Sequence, residues 1–159
     1  MDLTYDRLAD IDAFAMWCEF CADLGPASVR AAYGAWPRTV AVGEMVWSVN
    51  VPTCGTDHQR VGWISLRPDP VAPWVFYAAG IWPAYQRQGL VHRVRAWAQA
   101  AVSMWSRVDG LVIEVLDTNA AWQKALIAET ERGDLRRAGR VEIPGYEAER
   151  FWLPKGAAC

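Results

Sequence analysis

Ile81-Trp82-Pro83-Ala84-Tyr85-Gln86-Arg87-Gln88-Gly89-Leu90-Val91-His92 joins two segments of opposite character. Before it, residues 74–81 form an almost wholly apolar run, the pattern of a strand buried on both faces. After it, Leu90, Val94, Trp97, Ala98, Ala101 and Trp105 recur at helical spacing and predict a long amphipathic helix, with Arg93, Arg95, Gln99, Ser103 and Arg107 mainly on its solvent side. A tight turn that opens a helix leaves several backbone N–H groups unpaired and pointing one way. With the positive end of the helix dipole they form an anion site, and Gly89 lets a phosphate approach where a Cβ would obstruct it. Arg87 and His92 add positive charge at the rim. The plainer reading makes Gly89 a helix-start glycine on a solvated loop.

Outward from the turn, the pattern before it predicts a short first strand at Leu3, Tyr5, Arg7 and Leu8. A helix follows, capped by Asp10 and carrying Ile11, Phe14, Ala15, Cys18, Cys21 and Ala22 on its apolar face. Gly25-Pro26 ends it, and residues 27–33 suggest a second, short helix. Residues 45–51 and 61–66 read as hairpin strands around a loop at 52–59, and residues 67–70 as a turn. Downstream come a strand at 111–116, a helix from Ala120 to about Glu131, and terminal strands at 140–143 and 149–153. This order predicts an α/β or α+β fold. The 159 residues suffice for a single domain with a full core and show no repeat or linker.

Composition excludes several classes. No apolar run approaches the roughly eighteen residues of a membrane span, so no membrane partner is expected. The first residues, Met1 to Asp6, lack the basic start and apolar core of a signal peptide, which makes a cytoplasmic protein the expectation. A net charge of -2 argues against a nucleic-acid partner, whose phosphates demand a basic surface. Of the four cysteines, Cys18, Cys21, Cys54 and Cys159, the first two form a C-x-x-C. A zinc site needs two more ligands, and His58 and Cys54 share one loop without paired spacing, so reduced, packed thiols and no metal are expected.

The segment around Gly89 resembles the GCN5-related N-acetyltransferase superfamily. There a buried strand ends in a hydrophobic residue and a proline, followed by a [Q/R]-x-x-G-x-[G/A] turn that opens a long helix; Ile81, Pro83, Gln86 and Gly89 fall in register. Residues 111–119 match the family's next strand and following asparagine, Gly62 its third-strand glycine, and residues 149–155 its last strand. Val91 departs from the family's small residue, Arg87 stands where glycine is common, and the position of its frequent general-acid tyrosine is Leu126.

The resemblance implies a mixed, mostly antiparallel sheet of six to seven strands flanked by about four helices. It also implies transfer of an acetyl or other short acyl group from acyl-coenzyme A to a primary amine of a small molecule, by direct attack in the gap between two splayed strands. Cofactor contacts fall on Ile81, Gln86, Arg87, Gln88, Gly89, Leu90, Val91, His92 and Asn119, with the Ile81 N–H as oxyanion donor. Asn119 reads equally well as a helix N-cap. Glu114 is a candidate base that could instead pair with an arginine, and Tyr146 and Tyr77 are candidate acids or pocket walls that could instead be core aromatics. Tyr33, Trp36, Trp82 and Tyr146 would form an aromatic acceptor pocket. A monomer or homodimer is expected. The competing readings are a non-catalytic acyl-coenzyme A sensor, and an acetyltransferase acting on a protein N-terminus or side chain or on a nucleic-acid base.

Overall fold

The computed structural model describes residues 2–156; Met1 and Cys159 lie outside the described residues. Strand β1 (Thr4–Leu8) leads into helices α1 (Asp10–Leu24) and α2 (Pro26–Tyr33), followed by strands β2 (Met45–Pro52), β3 (His58–Pro68) and β4 (Trp74–Ile81). Then come a 3-10 turn (Pro83–Tyr85), α3 (Leu90–Ser103), β5 (Gly110–Leu116), α4 (Ala120–Glu131), β6 (Arg136–Ile143) and β7 (Tyr146–Pro154). One seven-stranded sheet has the order β1-β2-β3-β4-β5-β7-β6. Every neighbour is antiparallel except β4 and β5, which run parallel through the α3 crossover.

Helix α1 turns a different face to the sheet from the one that the spacing of Ile11, Phe14, Ala15, Cys18, Cys21 and Ala22 suggests. Ala13, Met16, Trp17 and Phe20 are buried, whereas Ile11 is 79% and Phe14 40% exposed. Two apolar stripes compete on this helix, and the one carrying a tryptophan buries more area. Cys18 is consequently exposed rather than packed, and Cys18, Cys21 and Cys54 are free thiols. The N-cap is Ala9, and Asp10 acts as a first-turn acid beside Asp12, where the helix dipole favours it. Gly25, at φ 91°, both terminates α1 and precedes α2, whose Pro26 needs no N–H partner in the first turn.

The sheet separates two cores. On one face α3 lays Leu90, Val94, Ala98 and Val102 against Val75, Tyr77, Ile113 and Val115. Trp97 packs at the margin, where it stacks on Tyr5 at 4.3 Å. Arg95, expected on the solvent side, turns inward to α4 and pairs with buried Glu129 at 2.5 Å. On the opposite face α1 and α2 cover an aromatic cluster of Trp17, Phe20, Trp63, Tyr33, Trp36 and Trp82. The terminal strands are longer than their apolar centres predict: β6 begins at Arg136 and β7 at Tyr146, leaving Pro144-Gly145 as the turn. Exposed arginines in β6 broke the apolar pattern there, yet edge strands carry charge readily.

Candidate functional site

The sheet parts at its centre. Strands β4 and β5 pair only from Trp74 opposite Gly110 to Tyr77 opposite Ile113. Beyond that, β4 stays bonded to β3 as far as Ile81, and β5 to β7 as far as Leu116. The inner edges of residues 78–81 and 114–116 therefore diverge without pairing to each other. Groups along a strand alternate between its two edges. The Trp82 N–H donates to Val61 of β3 at 2.9 Å, so Ile81 and Ala79 face the gap. Their carbonyls confirm this direction: Ala79 O accepts the Tyr33 hydroxyl at 2.9 Å, and Ile81 O accepts Gln86 Nε2 at 3.0 Å. Ala79 and Ile81 lie beyond the last β4–β5 pair, Tyr77 opposite Ile113, so among the described residues their gap-facing N–H groups have no ladder partner.

The turn after β4 opens α3 with backbone donors that no side chain caps among the described residues. Gly89 precedes α3 at φ 73°, a left-handed conformation, and a Cβ there would point into open space. Among the described residues no side chain caps α3 and no acidic residue occupies its first turn, which leaves its N–H groups and dipole uncompensated there. Arg87 holds φ 63°, the left-handed value that glycine adopts without penalty. Arg87, Gln88, Gly89 and His92 are exposed, Val91 is half-buried against the core, and Leu90 is buried, so Leu90 offers only backbone to a ligand. Among the described residues neither Arg87 nor His92 enters an ion pair. The Gln86 side chain turns back to Ile81, tying the turn to the end of β4.

On the β5 side, Asn119 occupies the N-cap position of α4, but its side chain makes no capping bond. Its carboxamide is half-buried and free of that task. Glu114 lies directly across from Arg150 in the β5–β7 register and bonds its Nε at 3.0 Å. Arg150 also lies over the Phe76 ring at 5.4 Å. The arginine-paired alternative thus describes Glu114, whose side chain is engaged by Arg150 within the sheet rather than standing free. Asp117, hydrogen-bonded first by Arg140 and then by Gln123, is held below the usual carboxylate range.

The aromatic residues divide between the faces. Tyr77 points to the α3 face, where burial pushes its phenol up and its hydroxyl has no partner. It therefore does not wall an acceptor pocket on the α1–α2 side. Tyr33, Trp36 and Trp82 do come together there around Phe20 and Trp63. The Tyr146 ring lies over the Gly34 backbone, so close that a Cβ on Gly34 would stand 3.0 Å from Cε2. Tyr146, Trp36, Cys21, Val29 and Arg30 line a cleft between α1, α2 and the β6–β7 hairpin, and among the described residues no carboxylate lines it. Leu126 is fully buried, so α4 brings no hydroxyl to the gap from that position.

Neither a protein-family model nor a curated protein matches this sequence. Solved structures do match it in shape. A spermidine N-acetyltransferase from Vibrio cholerae, in complex with CoA and spermine, gives a TM-score of 0.67 at 13% identity over 96% of this chain and 95% of that one. The ribosomal-protein-S18-alanine N-acetyltransferase of Escherichia coli gives 0.63 at 17% identity, over 99% and 97%. Arabidopsis thaliana NAA60, in complex with a bisubstrate analogue, gives 0.64 at 11% identity, over 96% and 99%. With its mixed sheet and these likenesses along nearly its full length, this chain has the fold of the GCN5-related N-acetyltransferases.

Proposed function

We propose that this protein transfers an acetyl or other short acyl group from acyl-coenzyme A to a primary amine of a small molecule. The observation that carries the reading is the parted sheet: a gap edged by the free N–H groups of Ala79 and Ile81 opens beside an uncapped helix N-terminus. The pyrophosphate would lie on the turn from Gln86 to His92, and the acyl arm would enter the gap between β4 and β5. There the Ile81 or Ala79 N–H meets the thioester oxygen, where negative charge develops as the amine attacks. Such a donor acts most strongly in a site from which water is excluded. Asn119 would hold the arm from the opposite side.

Amine acceptors would enter from the α1–α2 face. The cleft at Tyr146 and Trp36 contains Arg30 and, among the described residues, no carboxylate, which suits an amine with an apolar or planar body better than a polycation. Leu126 and the pairing of Glu114 favour one alternative, an acyl-coenzyme A sensor that binds without turnover. A protein that functions in the cytoplasm fits either reading.

Thermal shift with coenzyme A and acetyl-coenzyme A, followed by thiol release against an amine panel, tests the proposal. Stabilisation by both ligands with turnover of at least one amine is expected. Stabilisation without turnover selects the sensor, and no stabilisation removes both readings. Gly89→Glu serves as the site control: it places a negative charge at the turn, and binding of coenzyme A should disappear. Unchanged affinity would put the site elsewhere.

A further inference from the structure

Acyl transfer from a thioester releases sulfur as a thiolate that must end as a thiol, so under the reading above a proton has to reach the gap. Glu114 is tied to Arg150, and the Tyr77 hydroxyl lies on the far face of the sheet. Position 126 carries a buried leucine, and the Tyr146 ring rests on Gly34. One hydroxyl does reach the unpaired edge. Tyr33 is the last residue of α2, and its OH donates to Ala79 O at 2.9 Å, within the half of β4 that β5 leaves bare. Among the described residues it is the only side-chain hydroxyl bonded to residues 78–81 or 114–116.

Its placement is set from two directions. Thr118, just after β5, donates its hydroxyl to Ala31 O at 2.8 Å, so α2 is anchored at the β5 side of the gap as well as at β4. The Tyr33 ring meets Phe20, Trp36 and Trp63 at centroid distances of 5.8, 5.7 and 5.6 Å. Burial, reinforced by Cys21, pushes its phenol well above the ordinary value, so it stays protonated across the working pH range. Along an extended strand the Ala79 carbonyl and the Ile81 N–H lie about 5 Å apart on the same edge. A thioester oxygen on either gap-facing N–H therefore brings the sulfur, bonded to the same carbon, into the neighbourhood of the Tyr33 hydroxyl.

The geometry points to Tyr33 as the catalytic acid of this site, the group that protonates the leaving sulfur. The amine nitrogen forms its bond to the acyl carbon, the C–S bond breaks with its electron pair on sulfur, and the phenolic proton passes to that sulfur. The tyrosinate then recovers a proton shed by the attacking nitrogen, so one proton moves in net from nitrogen to sulfur.

Tyr33→Phe tests this, because it keeps the ring and removes the hydroxyl. The variant should bind coenzyme A with a dissociation constant within about twofold of wild type, while kcat for thiol release falls about 100-fold. The solvent deuterium isotope effect on kcat should also shrink toward unity. A kcat within threefold of wild type overturns the role, as does a rate loss accounted for by weaker cofactor binding. A lower kcat with an unchanged isotope effect overturns it too, since that describes a positioning hydroxyl. A wild-type protein that neither binds coenzyme A nor turns over any amine is a separate result, which removes the proposed function and the role together.

Discussion

Arg87 holds a left-handed φ of 63° one residue after Gln86 has turned back to Ile81. A side chain with a Cβ is strained there by roughly 1–2 kcal/mol. Arg87→Gly should relieve that strain, offset in part by glycine's greater freedom in the unfolded chain, for a net gain of about 0.5–1 kcal/mol in denaturant unfolding. If its guanidinium meets the pyrophosphate, the same change weakens coenzyme A binding about tenfold, measured by calorimetry. Unchanged affinity would assign the strain no part in binding. The identity of Arg87 was readable in sequence, but its conformation was not, because nothing in one residue type announces a positive φ. Glu114 carries the converse lesson. Its partner Arg150 lies 36 residues away and becomes its neighbour only through the β5–β7 register.

At the scale of elements, the strand–turn–helix unit from β4 to α3 was legible because two unlike periodicities meet at Pro83 and Gly89. Helix α1 was legible in extent but not in orientation, since residue size rather than spacing chose the face with Trp17. The splay of β4 from β5 was visible only through family resemblance: a local pattern does not record where two parallel strands stop pairing. Strand β4 also shows how closely the aromatic face is packed. A Cβ at Gly80 would collide with the Trp63 indole nitrogen and stand 2.7 Å from Phe20 Cζ, and both rings are buried with no room to retreat. Gly80→Ala should therefore cost about 1–3 kcal/mol in denaturant unfolding. A neutral result would show that the rings can shift together.

For the molecule as a whole, the long connection from α2 to β2 is fastened by one buried carboxylate. Glu44 accepts from both terminal Arg38 nitrogens, at 2.6 and 2.7 Å, from the Ala41 N–H at 2.9 Å, and from the Ser65 hydroxyl of β3. Burial by itself would raise its pKa, but these donors outweigh it and hold Glu44 below its ordinary value of 4.5. A depressed folded pKa contributes stability that is present above the unfolded value and lost as pH falls through the folded one. Unfolding free energy should therefore drop as pH falls below about 4.5, and Glu44→Gln should flatten that acid limb while lowering stability at pH 7. An acid limb unaltered by Glu44→Gln would assign it to other carboxylates. The parted centre of the sheet has a further consequence, for colloidal behaviour. Bare backbone edges invite strands from neighbouring molecules and seed aggregation. Here the bare stretch of β4 is only four residues, about 13 Å, and an anchored helix crosses beside it. An incoming polypeptide strand finds too little length to add a stable ladder, whereas a slender, extended small molecule needs no more.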